Sequence, residues 1–428
     1  MKISITRGRS QARVLNLATL AVIAVAIAPI LQNYKGVING GVTVIILAMV
    51  LVLALFAGRP VLSSRCLNVF GGLYLFQVYK IIDHGTSASE MGLVLVYFVF
   101  TMAFLSGCLE AKKVIKVATV ISMAACVGII LQYFCYYLLH FHLKMVPTSL
   151  LLKSANQWVK LANTGRYSIT GRPISFYRPS AFFLEPSHMF IYLFAPLVYE
   201  IYHSGAGFRA KRKAIFLSAG MILSTSGMAI IATVLLWLVY LSRNSEKRRY
   251  GKLLLPKLLQ PRNLSILLLI TAVLVFMFFK VDFFHRSVIR IFSSGSDYKN
   301  AVSGRVEGGY EFIRQMHGWE LVFGISDHYS GLDFHMTGFN ATMYKFGIVG
   351  TLLSYLFYLK CLIDLRGWSF WLAAFLIGLS FFTPHTHGTF YMLFFIVFLT
   401  EGYHEKGERR RVAASEMAYP TNRLRNTI

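Results

Sequence analysis

Long apolar runs set apart by short basic segments constrain this chain more than any other feature. A helix that crosses a bilayer needs about 20 mainly apolar residues. Runs of that kind occupy 14–31, 38–57, 66–82, 91–109, 114–139, 187–203, 264–280 and 341–360. The apolar block 214–242 lies between Lys211-Arg212-Lys213 and Arg243, Lys247, Arg248, Arg249. Basic flanks mark the cytoplasmic side, so a block with both ends basic crosses and returns. Ser224-Thr225-Ser226-Gly227 supplies the break between its two short helices. The block 368–403 reads the same way, with its turn at Pro384-His385-Thr386-His387-Gly388. The expected fold is an all-α polytopic membrane protein of about 12 transmembrane helices. Both termini are expected to be cytoplasmic, with two large periplasmic loops that contain short helices.

Charge tests that topology. The chain carries 43 Lys+Arg against 18 Asp+Glu, a net charge of +25. In a soluble protein such an excess points to nucleic acid. Only 14% of the residues are charged, however, and 56% are hydrophobic, whereas soluble domains are about one-quarter charged. The segments 1–13, 58–65, 110–116, 203–213, 243–263, 360–366 and 401–428 fall inside by alternation. They hold 28 Lys/Arg and 7 acids, the rest of the chain 15 and 11. That bias follows the positive-inside rule. The excess therefore speaks for topology, and the expected partner is the lipid bilayer, with no nucleic acid.

The expected organisation follows. Residues 1–139 hold helices 1–5, beginning with an uncleaved first span, and 140–186 form a first periplasmic loop. Helices 6–9 occupy 187–280, a second loop 281–340 and helices 10–12 341–404, leaving 405–428 as a polar, mobile cytoplasmic tail. The five cysteines (Cys66, Cys108, Cys126, Cys135, Cys361) lie in or beside apolar runs without CxxC pairing, as small buried hydrophobes do.

Loops beyond about 15 residues tend to carry function. The first holds Lys144, Lys153, Lys160, Arg166, Arg172 and Arg178 against one acid, Glu185. Its early part reads as an interfacial helix, with Leu151, Ala155, Trp158, Val159 and Ala162 on one face and Lys153 and Lys160 on another. Its later part, Tyr177-Arg178-Pro-Ser-Ala-Phe-Phe-Leu-Glu185-Pro-Ser-His188, leads straight into a span. A guanidinium fork beside a helix N-terminus suits an anion such as phosphate; an Arg178–Glu185 salt bridge that pins the loop is the alternative. In the second loop, whose basic residues include Arg314, a helix is expected from Ser303, with Val306, Tyr310, Ile313 and His317 on one stripe and Arg305 in the first turn. A cation in a first turn calls for an answering anion. Asp327, His328, Asp333 and His335 fit no recognisable zinc or calcium spacing, so no metal is expected.

Together these stretches resemble the bacterial O-antigen polymerase family (Wzy type), within the wider polymerase–ligase superfamily. The likeness rests on Arg178-Pro-Ser-Ala-Phe-Phe-Leu-Glu185-Pro-Ser-His, on the Leu223-Ser-Thr-Ser-Gly227 break, and on Gly304-Arg305 through Phe323-Gly324 to Asn340 and Phe346-Gly-Ile-Val-Gly350. It covers most of 166–360; the N-terminal spans agree in hydropathy only. Ligases usually carry His-Asn before the last long span, whereas Phe339-Asn340 stands here; that departure tilts the reading toward a polymerase. The resemblance implies transfer of a growing undecaprenyl-pyrophosphate-linked glycan onto a new lipid-linked repeat unit at the outer face of the inner membrane. It implies no cofactor, and a chain-length regulator protein as a partner. Arg178 and Arg305 are the expected clamps for the leaving pyrophosphate, with Arg166, Arg172, Arg314 and Asn340 as substrate contacts. The base for the acceptor hydroxyl is Glu185 or His335. An O-antigen ligase and a lipid-linked oligosaccharide flippase are the competing readings; nearly charge-free spans weigh against the flippase.

Overall fold

The protein is described as a computed structural model covering residues 22–32, 34, 100–107, 109–147, 150, 179–204, 209–243, 272, 279, 303–325, 337–383 and 390–418. The spans expected at 38–57 and 66–82, most of those at 91–109 and 264–280, the interfacial helix and the turn at 384–388 lie outside the described residues.

Within the described residues the chain is helical. The helices are α1 (Val22–Leu31), α2 (Ala111–Tyr137), α3 (Pro186–His203), α4 (Arg212–Leu223), α5 (Gly227–Arg243), α6 (Ser303–Gln315), α7 (Trp319–Phe323), α8 (Gly338–Asp364), α9 (Trp368–Phe382) and α10 (Phe390–Ala418). Two stretches are long and apolar enough to cross a membrane, Ala111–Tyr137 and Phe346–Asp364.

Helix α3 is the axis of the bundle. It packs against α2, α4, α5, α9 and α10, which explains why Met189 to Val198 is buried without a polar face. Tyr192 donates to the Ala26 carbonyl (2.7 Å), which ties α1 to the same axis.

Both basic-flanked blocks are antiparallel helix pairs. In the first, Trp237 Nε1 donates to Ser218 Oγ at 2.8 Å and Thr233 Oγ1 faces Met221 Sδ. The chain reverses at 224–226, where Thr225 adopts φ 56°. At about 1.5 Å per residue, the 12-residue α4 reaches roughly 18 Å, short of a bilayer core. In the second, the Trp368 indole donates to Glu405 Oε2 at 3.1 Å, and Gly402 lies flat against Ser369.

Charge gathers at one end of the bundle. Glu405 pairs with His203 at 2.7 Å and Arg409 at 3.8 Å. Asp364 pairs with Lys360 and Lys406 and accepts from the Tyr403 hydroxyl. Lys112 meets the buried Glu401 at 3.3 Å, and His404 Nε2 donates to the Phe104 carbonyl at 2.7 Å. Lys211, 6% exposed, donates to the Ile201 and Ser204 carbonyls that end α3 and lies 4.6 Å over the Tyr240 ring. A cation there answers the negative end of the helix dipole.

Three sequence expectations are refined. Residues 405–418, expected as a polar tail, are helical and continue α10, with Glu405 and Lys406 tied into the charged end. The remainder, 419–428, is outside the described residues. The apolar run expected at 341–360 lies within α8, which kinks at Gly347; the part long and apolar enough to cross a membrane is Phe346–Asp364. Helix α6 does start at Ser303; of its expected stripe Ile313 packs inward, while Tyr310 and, just past the helix, His317 are exposed. Its packed side is Phe312 and Ile313, which with Met316, Leu321 and Ile325 close on Ala341 and Tyr344 of α8.

Candidate functional site

The end of the bundle opposite the charged cluster gathers the C-terminus of α2 and the N-termini of α3, α8 and α10. Its best-defined part is the chain leading into α3. Ser180 Oγ donates to the Phe183 carbonyl, whose own N–H donates back to the Ser180 carbonyl at 2.9 Å. The turn so formed holds Ala181 at φ 51°. Gln132 of α2, 5% exposed, clamps that turn. Its Oε1 accepts from the Ala181 N–H at 2.8 Å, and its Nε2 donates to the Leu143 carbonyl at 3.2 Å. Gly128, one turn earlier, lets Ala181 sit close: a Cβ there would come within 2.9 Å of the Ala181 methyl. One amide thus fixes both ends of the first long connection onto α2.

The clamp delivers Glu185 to the N-cap of α3 in extended conformation, with Pro186 at the first helical position. Its carboxylate makes no cap hydrogen bond and instead accepts from Ser187 Oγ at 2.9 Å. Tyr391 at the start of α10 donates to the His188 carbonyl at 3.2 Å, with its ring 6.1 Å from the His188 ring. Glu185, partly exposed, therefore sits at the rim of the bundle in a segment whose backbone is fixed by α2 and α10, with its carboxylate accepting from Ser187.

A second cluster is built from α6, α7 and the start of α8. Thr337 caps α8 by accepting from the Asn340 N–H at 3.2 Å. The Asn340 side chain, 7% exposed, lies on the backbone of α6: a Cβ at Gly309 would be 2.5 Å from its Nδ2. Gly309 is one turn beyond Arg305, so α8 presents Asn340 to the helix that carries Arg305. At Gly347 the backbone is left-handed (φ 61°), and a Cβ would stand 2.5 Å from the Gly324 nitrogen. The kink is what lets α7 seat against α8, locked by the Ile325 N–H donating to the Tyr344 carbonyl at 2.8 Å.

Of the residues singled out from the sequence, Glu185 and Asn340 are buried or half-buried in these two clusters, and Arg314 is exposed on the last turn of α6. Arg305 lies in the first turn of α6; its side chain is outside the described residues, as are Arg166, Arg172, Arg178 and His335. The Glu185 and Asn340 clusters flank α9: Phe375 stacks on Phe194 of α3, and Phe381 on Phe339 of α8. Sequence reasoning missed Gln132 and Tyr391. Gln132 had a signal, a lone amide in the apolar run 114–139, where an unpaired polar group is costly. Among the described residues no group of three His, Cys, Asp or Glu side chains could hold a metal ion.

No protein-family model matches the chain, and no curated protein matches it in sequence. The site and the sequence pattern therefore carry the functional reading alone.

Proposed function

We propose that this protein is a multi-pass inner-membrane glycosyltransferase that polymerises a surface polysaccharide of the O-antigen kind. The charged end of the bundle faces the cytoplasm and the Glu185 end faces the periplasm. The growing glycan, carried on undecaprenyl pyrophosphate, is the donor, and a new lipid-linked repeat unit is the acceptor. An acceptor hydroxyl attacks the anomeric carbon as the bond to the pyrophosphate breaks. The hydroxyl proton passes to a base, and the leaving group departs as an anion. Such a leaving group asks little more than a cationic clamp and one base.

The observation that carries this reading is the segment from Arg178 to His188, whose Glu185 is clamped at the N-cap of α3. Arg178 and Arg305 are assigned to the pyrophosphate, Arg166, Arg172, Arg314 and Asn340 to substrate contacts. Glu185 and His335 are the two groups suited to the base. Of these, Glu185 has the support of a fixed position. The bilayer is the setting, and a chain-length regulator fits as a partner.

The test is complementation. In a strain lacking the gene, Arg178→Ala and Arg305→Ala should each leave lipopolysaccharide with at most one repeat unit on a gel. Loss of a charged clamp of this kind removes about 2–4 kcal/mol of transition-state stabilisation. A full ladder from both variants would overturn the assignment. Long lipid-linked polymer in the strain without the gene would point to a ligase.

A further inference from the structure

Helix α7 has one turn, yet three devices hold it in place. Gly318 before it and Gly324 after it take positive φ, 55° and 84°. The kink at Gly347 leaves room for its Val322 carbonyl and the Gly324 nitrogen and for nothing larger. Leu321 packs into the small core beneath it. On the outer side Trp319 is 77% exposed, and its indole stacks on Phe323 with centroids 5.3 Å apart and planes 19° from parallel. Single exposed apolar residues are ordinary. A large ring immobilised by a partner ring and by backbone fixed at both ends is different, because a ligand meeting it loses little side-chain entropy.

We propose that the open face of Trp319 is a stacking subsite for a pyranose ring of the glycan. This rests on the polymerase reading and extends it to where the sugar is held. Aromatic faces carry negative quadrupole charge and attract the weakly positive C–H groups of a sugar face. The hydroxyl edge of the same sugar calls for planar polar groups. Glu320, next to Trp319 in the chain, His317 two residues before it, and Glu311 and Arg314 on α6 are all exposed and provide carboxylates, a guanidinium fork and an imidazole. An acyl chain as occupant does not fit that setting. The level is also right: α7 seats on Gly347, at the start of the apolar stretch Phe346–Asp364. A sugar leaving the headgroup region meets the protein at this height.

The experiment uses the full chain in nanodiscs. The probe is a single-repeat oligosaccharide cut from the host's own surface polysaccharide, its affinity read by calorimetry. Trp319→Ala should weaken binding about tenfold or more, and Trp319→Phe should stay within about threefold of wild type. In complemented cells Trp319→Ala should shorten the ladder without abolishing it. Affinity unchanged in Trp319→Ala overturns the subsite. If the same variant only lowers thermal stability in lipid, the indole is a membrane-interface anchor, and the proposal fails equally. Failure of the polymerase reading looks different: wild type binds no oligosaccharide, and Arg178→Ala and Arg305→Ala make a full ladder.

Discussion

Gly347 shows how one residue decides whether the second cluster exists. Two independent costs would meet in Gly347→Ala. A left-handed φ of 61° is strained for any L side chain by about 1–3 kcal/mol, and the new methyl would drive into α7. The sum is expected to reach about 3 kcal/mol or more. Gly367→Ala separates the two: its φ is 67°, but nothing lies within 4 Å of the new methyl. It should cost only about 1 kcal/mol. Thermal melting in detergent ranks the pair, and equal losses would show that α7 does not press on Gly347. Gly347 was legible only as part of the Phe346-Gly-Ile-Val-Gly350 motif on which the family resemblance rests. Its reason was not, since the neighbour that forbids a side chain comes from more than 20 residues earlier.

At the scale of elements, the charged extension of α10 is the clearest case. Burial alone raises the Glu405 carboxyl, but hydrogen bonds from His203 and Trp368, with the charges of His203 and Arg409, outweigh it. The net effect holds it below its ordinary 4.5. A carboxylate with a depressed value stabilises the fold above its unfolded value, and that stability is lost as pH falls through the folded one. Melting temperature should therefore drop below about pH 4.5 in wild type. Glu405→Gln should start lower at neutral pH and show a flatter acid limb; parallel profiles would remove Glu405 from the latch. The residues concerned read as a polar tail in sequence because local composition is all that sequence displays. Their helix is set by partners on α3, α8 and α9.

For the whole molecule, both basic-flanked hairpins and the ends of α3 and α8 deliver their charges to one end of the bundle, and Glu185 and Asn340 to the other. Placed in a membrane with that charged end cytoplasmic, the chain makes a labelling prediction. In a variant with its five cysteines replaced by alanine, Gln315→Cys on α6 should react with an impermeant maleimide in spheroplasts. Glu408→Cys on α10 should react only after permeabilisation. Labelling of both before permeabilisation would overturn the orientation.

The sequence by itself determined the helical class of the described residues, the reversal at 224–226 and the helix at Ser303, because hydropathy, charge bias and helix-breaking residues act over a few turns. Only the tertiary structure decided the rest. The Gln132 clamp that positions Glu185, the seat of α7 on Gly347 and the latch at Glu405 each join residues far apart in the chain. Such contacts depend on which helix faces come together, and no local pattern encodes that.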